Sequence, residues 1–171
     1  MQYAFKKEVV NEFLKENIEL VIYSTICFFL PLFLGHPQIL VGIVVNASLV
    51  LAALRLKTKQ LLPVIIMPVL GTLSRGLLFG PFTIYLLYLI PFIWISNALL
   101  VYFVKKINKK ILGLSIGSII KSSFLFLSAF LLVRLSVIPT IFLIAMGPTQ
   151  LLTAISGGTL ALIGDKFLKK Q

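Results

Sequence analysis

KKINKKILGLSIGSIIKSSFLFLSAFLLVR, residues 105–134, decides the fold class. A cluster of lysines gives way at Ile111 to an apolar run that continues to Val133. At about 1.5 Å per residue, a helix over such a run crosses the roughly 30 Å of hydrocarbon in a bilayer. Comparable runs lie on either side, bounded by basic loops or Gly/Pro turns. The expected spans are roughly 18–34, 38–54, 61–78, 82–104, 111–133 and 149–167. A short apolar piece, Ile141–Ala145, precedes the Gly147–Pro148 break, and Pro148 suits the first turn of the last helix. Short alternating segments, the mark of a membrane β-barrel, are absent from the sequence. Composition agrees: the 171 residues are 59% hydrophobic and only 12% charged, against roughly 25% charged in soluble domains. The expected fold class is an all-α integral membrane protein: a six-transmembrane-helix bundle forming a single membrane domain over 1–171.

Residues 1–17 read differently. Phe5, Val9, Val10, Phe13 and Leu14 form one helical stripe, and Lys6, Lys7, Glu8, Glu12, Lys15 and Glu16 fill the rest. This predicts an amphipathic N-terminal helix, lying on the inner membrane face or extending the first span. Its mixed Lys and Glu do not have the layout of a cleavable signal peptide.

The net charge is +11. On a soluble protein that would suggest nucleic acid, but here the basic residues cluster between apolar runs, where they set topology. Lys6, Lys7, Lys15, Arg55, Lys57, Lys59, Lys105, Lys106, Lys109, Lys110, Lys166, Lys169 and Lys170 fall on one side of the expected bundle, 13 of the 16 basic residues. The positive-inside rule then places both termini in the cytoplasm.

The acidic residues lie at the ends of the chain, and none occurs between Leu20 and Gly164. Three cations nevertheless fall in that stretch outside the basic loops. Lys121 is near mid-span in the fifth segment, Arg75 lies in the outer third of the third, and Arg134 caps the outer end of the fifth. A buried cation is costly without a partner, and no carboxylate is at hand. Gly117, Ser118, Phe124, Leu125 and Ser128 share the face of Lys121, a small and polar face that should look into the bundle. Lys121, Arg75 and Arg134 are therefore candidate ligands for an anion in an outward-open cavity. The competing reading has the two arginines snorkelling to lipid phosphates while Lys121 sits neutral or bonds to carbonyls. Asn46 is shallow enough to reach such a ligand, whereas Asn97 reads as too deep. Gln150 sits with Thr149 at the start of the last span, where free amide donors favour an anion. Trp94 and Tyr88 are candidate walls.

No metal-ligand cluster, catalytic triad or nucleotide-binding loop is present, so neither enzymatic activity nor a cofactor is expected. Cys27 reads as a packing residue and His36 as a surface one. Gly113 and Gly117, the small residues from Ala154 to Gly164, and Ser48, Ala52 and Ala53 mark helix-packing faces or a docking face for another subunit.

HPQILVGIVVNASLVLAALRL (36–56), YLIPFIWISNALLVYF (88–103) and AMGPTQLLTAISGG (145–158) give the chain a pattern. With six short spans, it resembles the substrate-binding S components of energy-coupling factor (ECF) transporters. That resemblance implies a prokaryotic cytoplasmic-membrane protein that captures a vitamin or other micronutrient on its outer side. It also implies partners in other chains, namely a transmembrane coupling subunit and two ATPase subunits. Many S components carry an AxxxA-type motif in the first span. Here that span reads IELVIYSTICFFLPLF, so either the coupling face uses Ser48, Ala52 and Ala53 of the second span or the chain is a divergent or solitary member. Two other classes fit the same composition: a structural membrane protein of a morphogenesis or assembly complex, and a flippase-like protein that binds lipid headgroups.

Overall fold

The structure, a computed structural model, describes residues 2–34, 36–76 and 80–168; the side chains of residues 2–16 and of 80–81 lie outside the described set. Helices α1 (Gln2–Phe33), α2 (Gln38–Arg55), α3 (Leu61–Arg75), α4 (Leu86–Lys106), α5 (Lys110–Arg134), α6 (Ile141–Met146) and α7 (Pro148–Leu168) follow in order. Short 3-10 segments, Thr58–Gln60 and Gly80–Tyr85, precede α3 and α4. No strand occurs among the described residues. Gln38–Arg55, Phe82–Lys106, Lys110–Arg134 and Ile141–Leu168 are long and apolar enough to cross a membrane. Asn17–Phe33 is a shorter apolar helix. The chain thus has the build of a helical membrane protein.

The backbone of α1 runs unbroken from Gln2 into the first apolar run as one helix, the second of the two arrangements expected for the N-terminal segment. One boundary differs from the sequence expectation. The third span, expected to reach 78, stops at Arg75, because Gly76 adopts the left-handed conformation (φ 67°). Its N–H bonds back to Leu73 O at 3.0 Å, which closes the helix. Residues 77–78 lie outside the described residues.

The helices associate chiefly as the pairs α2–α7, α4–α5 and α1–α3. The α4–α5 pair is an antiparallel hairpin; the other pairs run parallel. Small residues allow the parallel pairs to approach closely, as van der Waals packing in a membrane requires. A Cβ on Gly157 of α7 would stand 2.2 Å from Ile43 O of α2, and one on Gly71 of α3 would stand 2.1 Å from Phe28 O of α1. Ser48, Ala52 and Ala53 are buried in the same way. They form an internal seam and are not free to act as the expected coupling face.

At one end of the bundle, where the basic loops lie, Arg55 Nη1 meets Glu19 at 2.8 Å and Arg55 Nε meets Asp165 at 3.1 Å. This pairing ties the middle of α1 to the C-terminal ends of α2 and α7. Two apolar clusters fill the interior. The larger, around Leu49, Leu56, Val64, Leu100, Val104 and Leu114, occupies the basic-loop half. The smaller, around Leu86, Leu89, Leu125, Ala129 and Phe142, occupies the opposite half.

Gly157→Ala tests the α2–α7 seam. Glycine is a poor helix former, so alanine gains stability at an open site, by about 0.4–1 kcal/mol. At Gly157 the clash reverses the sign, and a loss of about 1–3 kcal/mol is expected from overpacking. Gly164→Ala, with nothing within 4 Å of the new Cβ, supplies the control. Thermal unfolding in detergent should separate the two variants in opposite directions.

Candidate functional site

Between the two clusters the interior turns polar. Lys121 of α5 is 2% exposed, yet its Nζ lies among side chains that carry no negative charge. It donates to Asn46 Oδ1 at 2.6 Å and to Asn97 Oδ1 at 2.8 Å. Each amide is held by its other end. Asn46 Nδ2 donates to Gly42 O at 2.9 Å and to Thr153 Oγ1 at 3.2 Å. Asn97 Nδ2 donates to Ile65 O at 3.1 Å. Because both NH2 groups are spent on oxygen acceptors, both amide oxygens must face the lysine. An ammonium carries one N–H more than these bonds use.

Lys121, Asn46 and Asn97 form the floor of a cavity of about 100 Å³. Its walls include Pro31, Val45, Pro68, Thr72 and Ile93. Gln38, Thr149 and Gln150, in the first turns of α2 and α7, stand at the far rim. Gln38 precedes Asn46 by about 12 Å of helix. The cavity therefore runs from the end opposite the basic loops toward the middle of the bundle. It carries a cation at its base and amides and a hydroxyl at its mouth. That arrangement is chemically suited to a compact solute whose negative charge reaches the ammonium.

Of the residues expected at the site, Lys121, Asn46 and Gln150 are brought together here. Arg75, Trp94, Tyr88 and Arg134 lie outside this cavity. Arg75 is at the end of α3, not inside a span, and its Nη1 donates to Phe33 O at 2.6 Å and Leu32 O at 3.1 Å. It caps the C-terminal carbonyls of α1. Arg134 is exposed and lies over the Phe130 ring, 5.1 Å from its centroid. Tyr88 is 55% exposed on the outside of the bundle. Trp94 is partly buried and its Nε1 has no hydrogen-bond partner.

Asn97 reverses the expectation. Read as too deep to reach a ligand, it is part of the floor. The signal was available: α4 and α5 form a hairpin turning near Asn108, and Asn97 and Lys121 are roughly equidistant from that turn. Thr72, Gln38 and Thr153 carried no comparable mark. Compared with protein-family models, curated proteins and solved structures, the chain gives no match.

Asn97→Leu removes an acceptor from a buried ammonium and the donor that serves Ile65 O. Bonds to charged groups contribute about 1.5–3 kcal/mol each, so a loss of about 2–4 kcal/mol is expected. Ser115→Ala, at an exposed position where the hydroxyl bonds only to Ile111 O one turn back, should leave stability unchanged. Denaturant titration of the two variants in the same detergent gives the comparison.

Proposed function

We propose that this chain captures a small anionic solute from outside the cell, as the substrate-binding subunit of an ECF-type importer, and carries out no chemistry of its own. In this reading the bundle spans the membrane six times with both termini in the cytoplasm. α1 and α3 act as the shorter spans, and the cavity opens outward. A vitamin or related micronutrient bearing a carboxylate or phosphate is the ligand. Energy and translocation come from a coupling subunit and ATPases in other chains.

One observation carries the reading: Lys121 is buried at the floor of a cavity with neutral partners only and an N–H to spare. A bundle that only needed to pack would gain from an apolar residue there, since an unpaired charge in the membrane interior is expensive. A ligand's anion supplies the missing charge. Gln38, Thr149 and Gln150 would meet its polar atoms at the mouth. The charge bias of the loops supports the orientation. The sequence pattern of 36–56, 88–103 and 145–158 supports the importer class.

Two measurements test this. Reporter fusions within residues 105–110 should give a cytoplasmic signal; an extracytoplasmic signal would invert the bundle and close the cavity to the outside. Native mass spectrometry of the purified protein should find a small acidic molecule bound. Lys121→Ala should weaken its binding by about 2–5 kcal/mol, because its charge is left unpaired. Asn97→Asp is the sharper variant. It keeps a side chain of the same shape and gives the ammonium an internal counter-charge, which offsets the lost bond to Ile65 O, and should abolish anion binding; thermal unfolding of the same sample checks that the fold is retained. Affinity unchanged in both variants would remove Lys121 from the site.

A further inference from the structure

A second concavity, of about 570 Å³, lies between α3 and α4 at the basic-loop end. Leu61, Leu62 and Ile65 form one wall, Ala98 and Val101 the other, and Lys105 and Lys106 stand at its end. Its inner end lies beside the bond from Asn97 Nδ2 to Ile65 O, which joins the two helices. Ala98, the next residue on α4, is too small to fill the space beneath. Leu62 and Tyr102, both on its lining, are exposed on the outer surface of the bundle, so the groove opens sideways toward lipid. It follows α4 for about 12 Å, from Ala98 to Lys106.

The charges in this groove lie at one end only. Lys106 is exposed, with its Nζ fixed against the Tyr102 hydroxyl at 2.6 Å and over the same ring, 5.1 Å from its centroid. Lys105 donates to Leu56 O and Ala53 O, which neutralises the C-terminal carbonyls of α2 and keeps its positive charge at the groove's end. Thr58 adds a hydroxyl to the rim. Below them the walls are apolar. An amphipathic helix spreads its polar groups along its length and matches this layout poorly. A phospholipid matches it, with its charge at one end and hydrocarbon along the rest. Basic pockets between membrane helices at the cytoplasmic surface are a recognised setting for anionic headgroups.

We propose that the α3–α4 groove is a binding site for an anionic phospholipid, with one acyl chain along Leu61, Ile65, Ala98 and Val101 and the headgroup phosphate on Lys106. This site is separate from the Lys121 cavity and does not depend on what that cavity binds.

The chain contains its own probe. Trp94 is the sole tryptophan, one helical turn beyond Ala98 on the same stripe of α4. The full chain is reconstituted in phosphatidylcholine vesicles carrying brominated phosphatidylglycerol or brominated phosphatidylcholine at the same low mole fraction, and quenching of Trp94 fluorescence is measured. Phosphatidylglycerol should occupy the site about fivefold more readily, the factor that one lysine at an anionic interface contributes. Lys106→Gln should bring that preference to below about twofold. Ala98→Phe, which fills the groove and leaves Lys106 in place, should also remove it. Equal quenching by the two lipids would overturn the proposal, as would a preference that survives in both variants. Quenching by neither lipid, which would mean that no acyl chain enters the groove, would overturn it as well.

Discussion

The bundle is organised around one ammonium group held by two amides. Lys121 reaches from α5 to Asn46 on α2 and Asn97 on α4. The far ends of those amides extend the network to Thr153 on α7 and to the backbone of α3 at Ile65. Neutral amides stabilise a buried cation less than a carboxylate would, so their orientation must be enforced. The carbonyls of Gly42 and Ile65 do this by occupying the NH2 groups. Helices that could otherwise slide on apolar surfaces are thereby fixed in register, because a shift of one residue would strand a charge.

Other basic groups are occupied by structural tasks. Arg55 is shared by Glu19 and Asp165. Arg75 caps the last carbonyls of α1, Lys105 those of α2, and Lys110 those of α4 through Val104 O, Lys105 O and Ile107 O. A cation at a helix C-terminus meets unsatisfied carbonyls and the negative end of the dipole together. Capping therefore accounts for Arg75 without any ligand. It does not account for Lys121, which sits in mid-helix with no terminus near it.

The helical membrane build was legible because run length and hydropathy depend on composition alone. The inward turn of Lys121 was legible for a similar reason: Gly117, Ser118 and Ser128 share its face, and a small polar face belongs inside. Arg75 was misplaced because an apolar run does not reveal where its helix stops, and Gly76 ends α3 just there. Trp94 and Tyr88 were beyond reach because α4 is apolar nearly all round, so nothing in its sequence sets its rotation. Arg55 was legible only as a topology charge. Its partners Glu19 and Asp165 are remote in sequence and meet it only once α1, α2 and α7 have packed.

The position of the cavity follows from the same chemistry. On α4, Asn97 separates Leu86 and Leu89 of one apolar cluster from Leu100 and Val104 of the other; on α5, Lys121 separates Leu114 from Leu125 in the same way. Polar side chains bound to one another cannot interdigitate with either cluster, so space remains where the clusters meet. The rim and part of the floor belong to one rigid pair, since Gln38 and Asn46 lie on α2 while Gln150 and Thr153 lie on α7. Gly157 against Ile43 at mid-length and Arg55 with Asp165 at the end lock that pair together. The distance from the amides at the mouth to the ammonium at the base is thus set by the backbone of α2 and α7 and not by side-chain adjustment. Under the proposed function, a site built this way would select its ligand by length as well as by charge, since an anion reaching Lys121 would have its other end near Gln38 and Gln150.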